Sequence, residues 1–215
     1  MNWKFLSNVG NQNIEERLNA LSHLCAVFLA CIGLLFLWQG NNQKSSYADF
    51  SILVYGISLI LLFVSSTLYH HVSNPAWKKT FRILDHINIY YLIAGTYTPV
   101  ALITLVNGNG WLLFYTVWAI AAFGTVLKIF FTGRFEFISL LLYLVMGWLI
   151  VFDFKNLLAN STELGLTLMF LGGMFYSFGI VFYAIQRIPY NHFIWHLFVM
   201  AGAICHWFFI YIDVI

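Results

Sequence analysis

Apolar residues run through this chain in long unbroken stretches rather than in apolar–polar alternation. Seven stretches stand out: Asn19 to Trp38, Phe50 to His70, Ile83 to Leu105, Trp111 to Phe131, Phe135 to Phe152, Leu164 to Ile185, and His192 to Asp213. Each comes close to the about 20 apolar residues that carry a helix across the hydrocarbon core of a bilayer. In lipid the backbone must satisfy its own N–H and C=O groups, which leaves helices or a closed barrel. Barrel strands would read as roughly ten-residue segments of alternating polarity, so the pattern predicts a bundle of seven transmembrane helices. Polar links separate them. Gly40 to Ser46 is one, Ser73-Asn74-Pro75 opens the next, and Asn107-Gly108-Asn109-Gly110 is a strong turn signal. Pro99 falls inside the third stretch, where it removes a backbone hydrogen bond and predicts a kink.

Composition agrees with a lipid-embedded chain. Of 215 residues, 61% are hydrophobic and 8% charged, against roughly 25% charged in soluble domains. Mean hydropathy is +0.83. Seven spans with short links use most of the chain, so a single integral membrane domain over residues 1–215 is expected. Met1 to Asn13 is polar and Asn-rich and lacks the basic patch, short apolar run and small-residue cleavage site of a secretory leader. The first stretch should therefore act as an uncleaved anchor. Cys25, Cys31 and Cys205 lie within apolar stretches and form no CxxC, which reads as small apolar core residues rather than a disulfide framework.

The net charge of +2 says little, but its distribution says more. With seven spans, one side holds Lys4, Arg17, Lys78, Lys79, Arg82, Lys128, Arg134 and Arg187, and the other only Lys44 and Lys155. Cytoplasmic loops carry the excess of Lys and Arg, so the N-terminus is expected in the cytoplasm and the C-terminus outside, in a multi-pass protein of the cell membrane. Trp38, Trp77, Trp111, Trp207 and Tyr211 sit near segment ends, as interfacial anchors do. No basic run suggests a nucleic-acid partner; the partners expected are membrane lipids, including a lipid substrate or ligand.

Ionisable residues inside spans are costly and mark function by default. His192 and His196 stand four apart at the start of the last span, on one helical face with Cβ atoms about 5–6 Å apart. His70 closes the second span, one turn after Ser66, and Asp85 opens the third. All lie on the Lys/Arg-rich side, at one membrane depth. They read either as interfacial residues at helix ends or as a metal site. Three neutral imidazoles and an open position make a catalytic zinc shell, with Asp85 as a fourth ligand or as a base. Imidazoles also suit copper, iron and nickel. Glu16, Asn19, Ser22 and His23 fall on roughly one stripe at the start of the first span. They read either as a second ring of hydrogen bonds behind the metal ligands or as an interfacial face. His206 is about 15 Å along the helix from His196 and cannot share that metal. His71 and His86 are expected to face the interface, Asp153, Glu163 and Asp213 to be solvated on the opposite rim, and Glu136 and Asp49 to need no special role.

Four tracts, Glu16 to His23 (ERLNALSH), Ser66 to His70 (STLYH), Leu84 to Pro99 (LDHINIYYLIAGTYTP) and His192 to His196 (HFIWH), resemble those of the hemolysin III family. That family is the bacterial branch of a superfamily that includes adiponectin and progestin receptors and is related to alkaline ceramidases. The resemblance covers essentially the whole chain. It implies seven helices, a cytoplasmic N-terminus and a zinc ion near the cytoplasmic face held by His70, His192 and His196. It further implies Asp85 in contact with a water at the zinc, with Ser66 beside it. Three activities follow as expectations: a zinc-dependent hydrolase of a lipid amide or ester, a non-catalytic sensor or regulator with structural zinc, and a pore-forming protein.

Overall fold

Each apolar stretch is helical. The computed structural model describes the backbone of residues 3–215 and the side chains of residues 14–215. The helices are α1 (Trp3–Gln39), α2 (Ala48–His71), α3 (Pro75–Pro99), α4 (Gly110–Phe131), α5 (Glu136–Trp148), α6 (Phe154–Asn160), α7 (Glu163–Ala184) and α8 (Asn191–Phe209). Among the described residues there is no strand. Seven spans are long and apolar enough to cross a membrane: Ile14–Gln39, Ala48–His71, Pro75–Thr104, Gly110–Phe131, Glu136–Asn160, Glu163–Ala184 and Asn191–Val214. Bulky apolar side chains point outward, Phe130 71% exposed and Phe137 and Phe152 each 78%. In water such a surface would drive aggregation. In lipid it is the solvated face, so the chain is a multi-pass membrane protein.

Consecutive spans α1, α2, α3 and α4 pack side by side, α7 pairs with α8, and α8 returns to α1. The third span is the enclosed one, with 72% of its most apolar stretch buried against 17% in the sixth. Glycines let the helices close up. A Cβ at Gly179 would sit 2.8 Å from Phe198 Cβ, and one at Gly202 2.8 Å from Tyr176 Cε2. The α7–α8 pair therefore approaches as small-residue membrane interfaces do.

The ends differ from the hydropathy boundaries where polar residues begin a helix. The helix α3 starts at Pro75, not Ile83, because Asn74 Oδ1 accepts from Ala76 N and Trp77 N, with Pro75 at the first helical position. Its first turns carry Lys78, Lys79 and Arg82, which hid them from a hydropathy reading. Helix α1 begins at Trp3 rather than Asn19. Met1 and Asn2, and the side chain of Lys4 counted above, lie outside the described residues. Pro99 does not end its span: α3 runs on into a π turn, Val100–Thr104, and Ser45 Oγ donates to Leu102 O at 2.8 Å. The fifth span continues past Phe152. A 3-10 turn, Leu149–Asp153, joins α5 to α6. Tyr97 Oη donates to Gly147 O at 3.0 Å and accepts from Ile150 N at 2.9 Å, which satisfies backbone groups at that break.

Three expectations are corrected. Cys25 and Cys31 are exposed and Cys205 half-buried, not core residues; α1 is peripheral and turns most of its surface to lipid. His86 is buried rather than interfacial, because α3 packs against α2, α4 and α5, and Tyr143 of α5 donates to His86 O. Asp153 is buried rather than solvated. It accepts from Asn109 N at 2.9 Å, Asn109 Nδ2 at 3.1 Å and Asn156 Nδ2 at 2.6 Å. Asp213 likewise accepts from Thr162 N and Oγ1 at 2.9 and 2.7 Å.

Candidate metal centre and its cavity

The last turn of α2 and the first turns of α8 bring three imidazoles together. The ring centroids of His70 and His192 are 5.0 Å apart, those of His70 and His196 4.9 Å, and those of His192 and His196 4.8 Å. One ring nitrogen from each lies within 4.8 Å of the other two. Zinc takes imidazole at about 2.0–2.1 Å, which in a tetrahedral shell places ring centroids about 5 Å apart and nitrogens about 3.3 Å apart. The rings already stand at that spacing; the nitrogens have to draw in.

Hydrogen bonding points the same way. Both ring nitrogens of His70 and Nδ1 of His196 are buried without a hydrogen-bond partner. A buried polar atom left unpaired costs about 1–3 kcal/mol. Several in one cluster are what an ion would satisfy. Among the described residues this is the group of three side chains able to hold a metal, and the histidines fit zinc.

Around the triad lies a cavity of about 1150 Å³. Glu16, Asn19, His23, Ser66, His70, Asp85, His192 and His196 all line it. Ser22 does not; its hydroxyl donates to Asn19 O at 3.0 Å, so the expected stripe is narrower than its spacing implied. Asp85 is 9% exposed and has no cationic partner among the described residues. The Ser66 hydroxyl is buried and unpaired. His23 stacks on His196, with centroids 3.7 Å apart and planes 10° from parallel. Its own ring nitrogens are also buried without a partner, but it lies outside the group of three whose nitrogens come within 4.8 Å of one another. His206 lines the same cavity further in and reaches Met169 O at 3.1 Å, too far along α8 to join the triad.

Two carboxylates on α1 hold the site from outside. Glu16 Oε1 lies 3.4 Å from His70 Nδ1, within ion-pair reach but off the line of a hydrogen bond, and Glu16 also pairs with Lys78. Glu15 Oε1 accepts from His192 N at 3.0 Å and Phe193 N at 3.4 Å. Glu15 gives no sign of this in the sequence, since its partners are 177 and 178 positions away. Nor is Glu136 idle. Its Oε2 accepts from the buried Lys128 Nζ at 2.6 Å, beside Arg82 and His86 at the cavity mouth.

Comparison with known proteins places the chain. A family profile described as Haemolysin-III related matches residues 11–207. Hemolysin-3 of Bacillus cereus is 43% identical over 190 residues, 88% of this chain and 87% of that protein. Hemolysin-3 homolog of Bacillus subtilis (strain 168) is also 43% identical, over 90% of this chain and 92% of its own. Monocyte to macrophage differentiation factor of Homo sapiens is 29% identical over 92% of this chain and 83% of its own.

Proposed function

The chain belongs to the haemolysin III family, and from that membership and its buried triad we propose that it is a zinc-dependent hydrolase of a lipid amide or ester, working at the Lys/Arg-rich face of the membrane. One observation carries the reading: three clustered imidazoles, two of them with orphaned ring nitrogens, and the buried carboxylate of Asp85 open onto a single cavity inside the bundle. Zinc bound there would supply Lewis acidity and lower the pKa of water toward about 7. His70, His192 and His196 would hold it from two helices. Asp85, with no Lys or Arg partner among the described residues, would take the proton from the attacking water and pass it to the leaving amine or alcohol, as a general base must stand within hydrogen-bond reach. The Ser66 hydroxyl would hold the Asp85 carboxylate or the substrate carbonyl in place. The cavity is large enough for a lipid head with the start of an acyl chain, and its walls run from charged residues at the mouth to Leu92, Ile93 and Trp148 deeper in.

Elemental analysis of detergent-purified protein tests the site. One zinc per chain is expected in the native protein and none in the His192→Ala, His196→Ala double variant; equal metal in both would show that other residues bind it. Asp85→Asn then separates catalysis from structure. It is expected to keep its zinc and to release fatty acid from a panel of N-acyl and O-acyl lipids at least about 100-fold more slowly. Native protein that holds zinc yet turns over none of the panel would favour the non-catalytic sensor, in which the metal only ties α2 to α8.

A further inference from the structure

The last helix begins in an unusual way. Tyr190 precedes it with φ 56° and ψ 30°, a left-handed backbone, and its side chain makes no cap hydrogen bond. For a bulky non-glycine residue that conformation is uncommon, and it persists only when the surroundings impose it. The first amides of α8 would be left without acceptors, because a helix start has no intrahelical partner for them. Asn191 Nδ2 ties the turn back to α7 by donating to Phe182 O at 3.1 Å. The amides of His192 and Phe193 find their acceptor in another helix altogether, at Glu15 Oε1.

We infer that Glu15 is the positioning residue for the His192 ligand: by capping α8 from α1, it fixes the backbone from which that imidazole reaches the metal. The inference rests on the metal site described above. Neighbouring carboxylates on α1 divide the work, since Glu16 turns to His70 and Lys78 while Glu15 turns to α8. His192 needs such a hold more than its companions. His70 and His196 are both buried, whereas His192 is the second residue of α8 and only partly buried, where a helix frays unless capped. A carboxylate at a helix N-terminus is also favoured by the helix dipole.

The test is zinc affinity, measured by competition with a chromophoric chelator on detergent-solubilised protein, for native, Glu15→Ala and Glu15→Gln proteins. Groups that orient metal ligands change affinity by about 10–100-fold when removed. Glu15→Ala is expected to weaken zinc binding at least about tenfold. Glu15→Gln keeps an acceptor oxygen at the same reach and is expected to stay within about threefold of native, the shortfall being the lost charge at the helix end. Asn109→Ala serves as the control. It breaks the Asp153 latch at the opposite end of the bundle and should lower Tm while leaving zinc affinity unchanged. Glu15→Ala binding zinc as tightly as native overturns the inference. So does an equal loss of affinity in Asn109→Ala, which would make the effect one of general stability. Native protein that binds no zinc overturns the metal site itself, and the role of Glu15 with it.

Discussion

His192 shows how much a single residue depends on its setting. Its spacing to His196 puts two imidazoles on one face, but its usefulness as a ligand depends on a turn held in place by Asn191 and Glu15. Lys128 makes the same point for charge. It is 1% exposed inside a membrane protein, and it is tolerated because Glu136 meets it at 2.6 Å. Removing one member of a buried pair strands the other, at about 3–5 kcal/mol. The Glu136 side chain is 30% exposed, so the effect of Glu136→Gln should fall at the lower end, about 3 kcal/mol, read as a reduced midpoint of denaturant unfolding. Lys128→Met combined with Glu136→Leu should recover most of it. A double variant as unstable as Glu136→Gln would show that the pair's role is something other than mutual neutralisation.

At the scale of elements, the instructive feature is the interrupted fifth span. Nothing in Leu149 to Asp153 breaks a helix: the tract is Leu-Ile-Val-Phe-Asp, with neither Gly nor Pro. What sustains the 3-10 turn is Tyr97 on α3, whose hydroxyl serves Gly147 O and Ile150 N together. Tyr97→Phe leaves both backbone groups unpaired in a nonpolar setting. With about 1–3 kcal/mol for each unsatisfied group, and some relief if the tract reverts to α-helix, a loss of about 2 kcal/mol is expected. Hydrogen exchange at residues 147–153 should quicken while α8 is unaffected. Unchanged protection there would mean that the turn is intrinsic to its own sequence. The Asn109–Asp153 latch acts alongside, fixing the α3–α4 link to the same break.

For the molecule as a whole, the metal cluster and the charge split can each be examined. The triad joins α2 to α8, helices far apart in the chain, so an ion there would stabilise the assembled bundle and not the separated helices. Zinc at a thousandfold excess over its Kd contributes about 4 kcal/mol. Adding a strong chelator should therefore lower the Tm of the native protein by several degrees and leave that of the His192→Ala, His196→Ala double variant unmoved. A native Tm indifferent to chelation would speak against a bridging ion. The eight-to-two division of Lys and Arg predicts that, in intact cells, a membrane-impermeant maleimide labels Lys155→Cys and not Arg134→Cys. Both positions are exposed on the protein, and the native Cys25 and Cys31 lie in the lipid-facing α1, out of reach of such a reagent. Labelling of Arg134→Cys alone would invert the topology.

The amino-acid sequence by itself determined the number of spans, their approximate limits, the membrane as solvent, and the depth shared by His70, Asp85, His192 and His196. These are properties of local pattern: a run of apolar residues partitions into lipid whatever its neighbours do, and a four-residue spacing puts two side chains on one helical face. Only the tertiary structure decided which polar residues meet. Glu15 and His192, Lys128 and Glu136, Tyr97 and Ile150 are paired across helices, and His86 and Asp153 are buried by elements that their own segments do not contain. Lateral packing selects one face of each helix for the interior. In a chain this apolar, the inward and outward faces carry nearly the same hydrophobicity, so periodicity leaves that choice open.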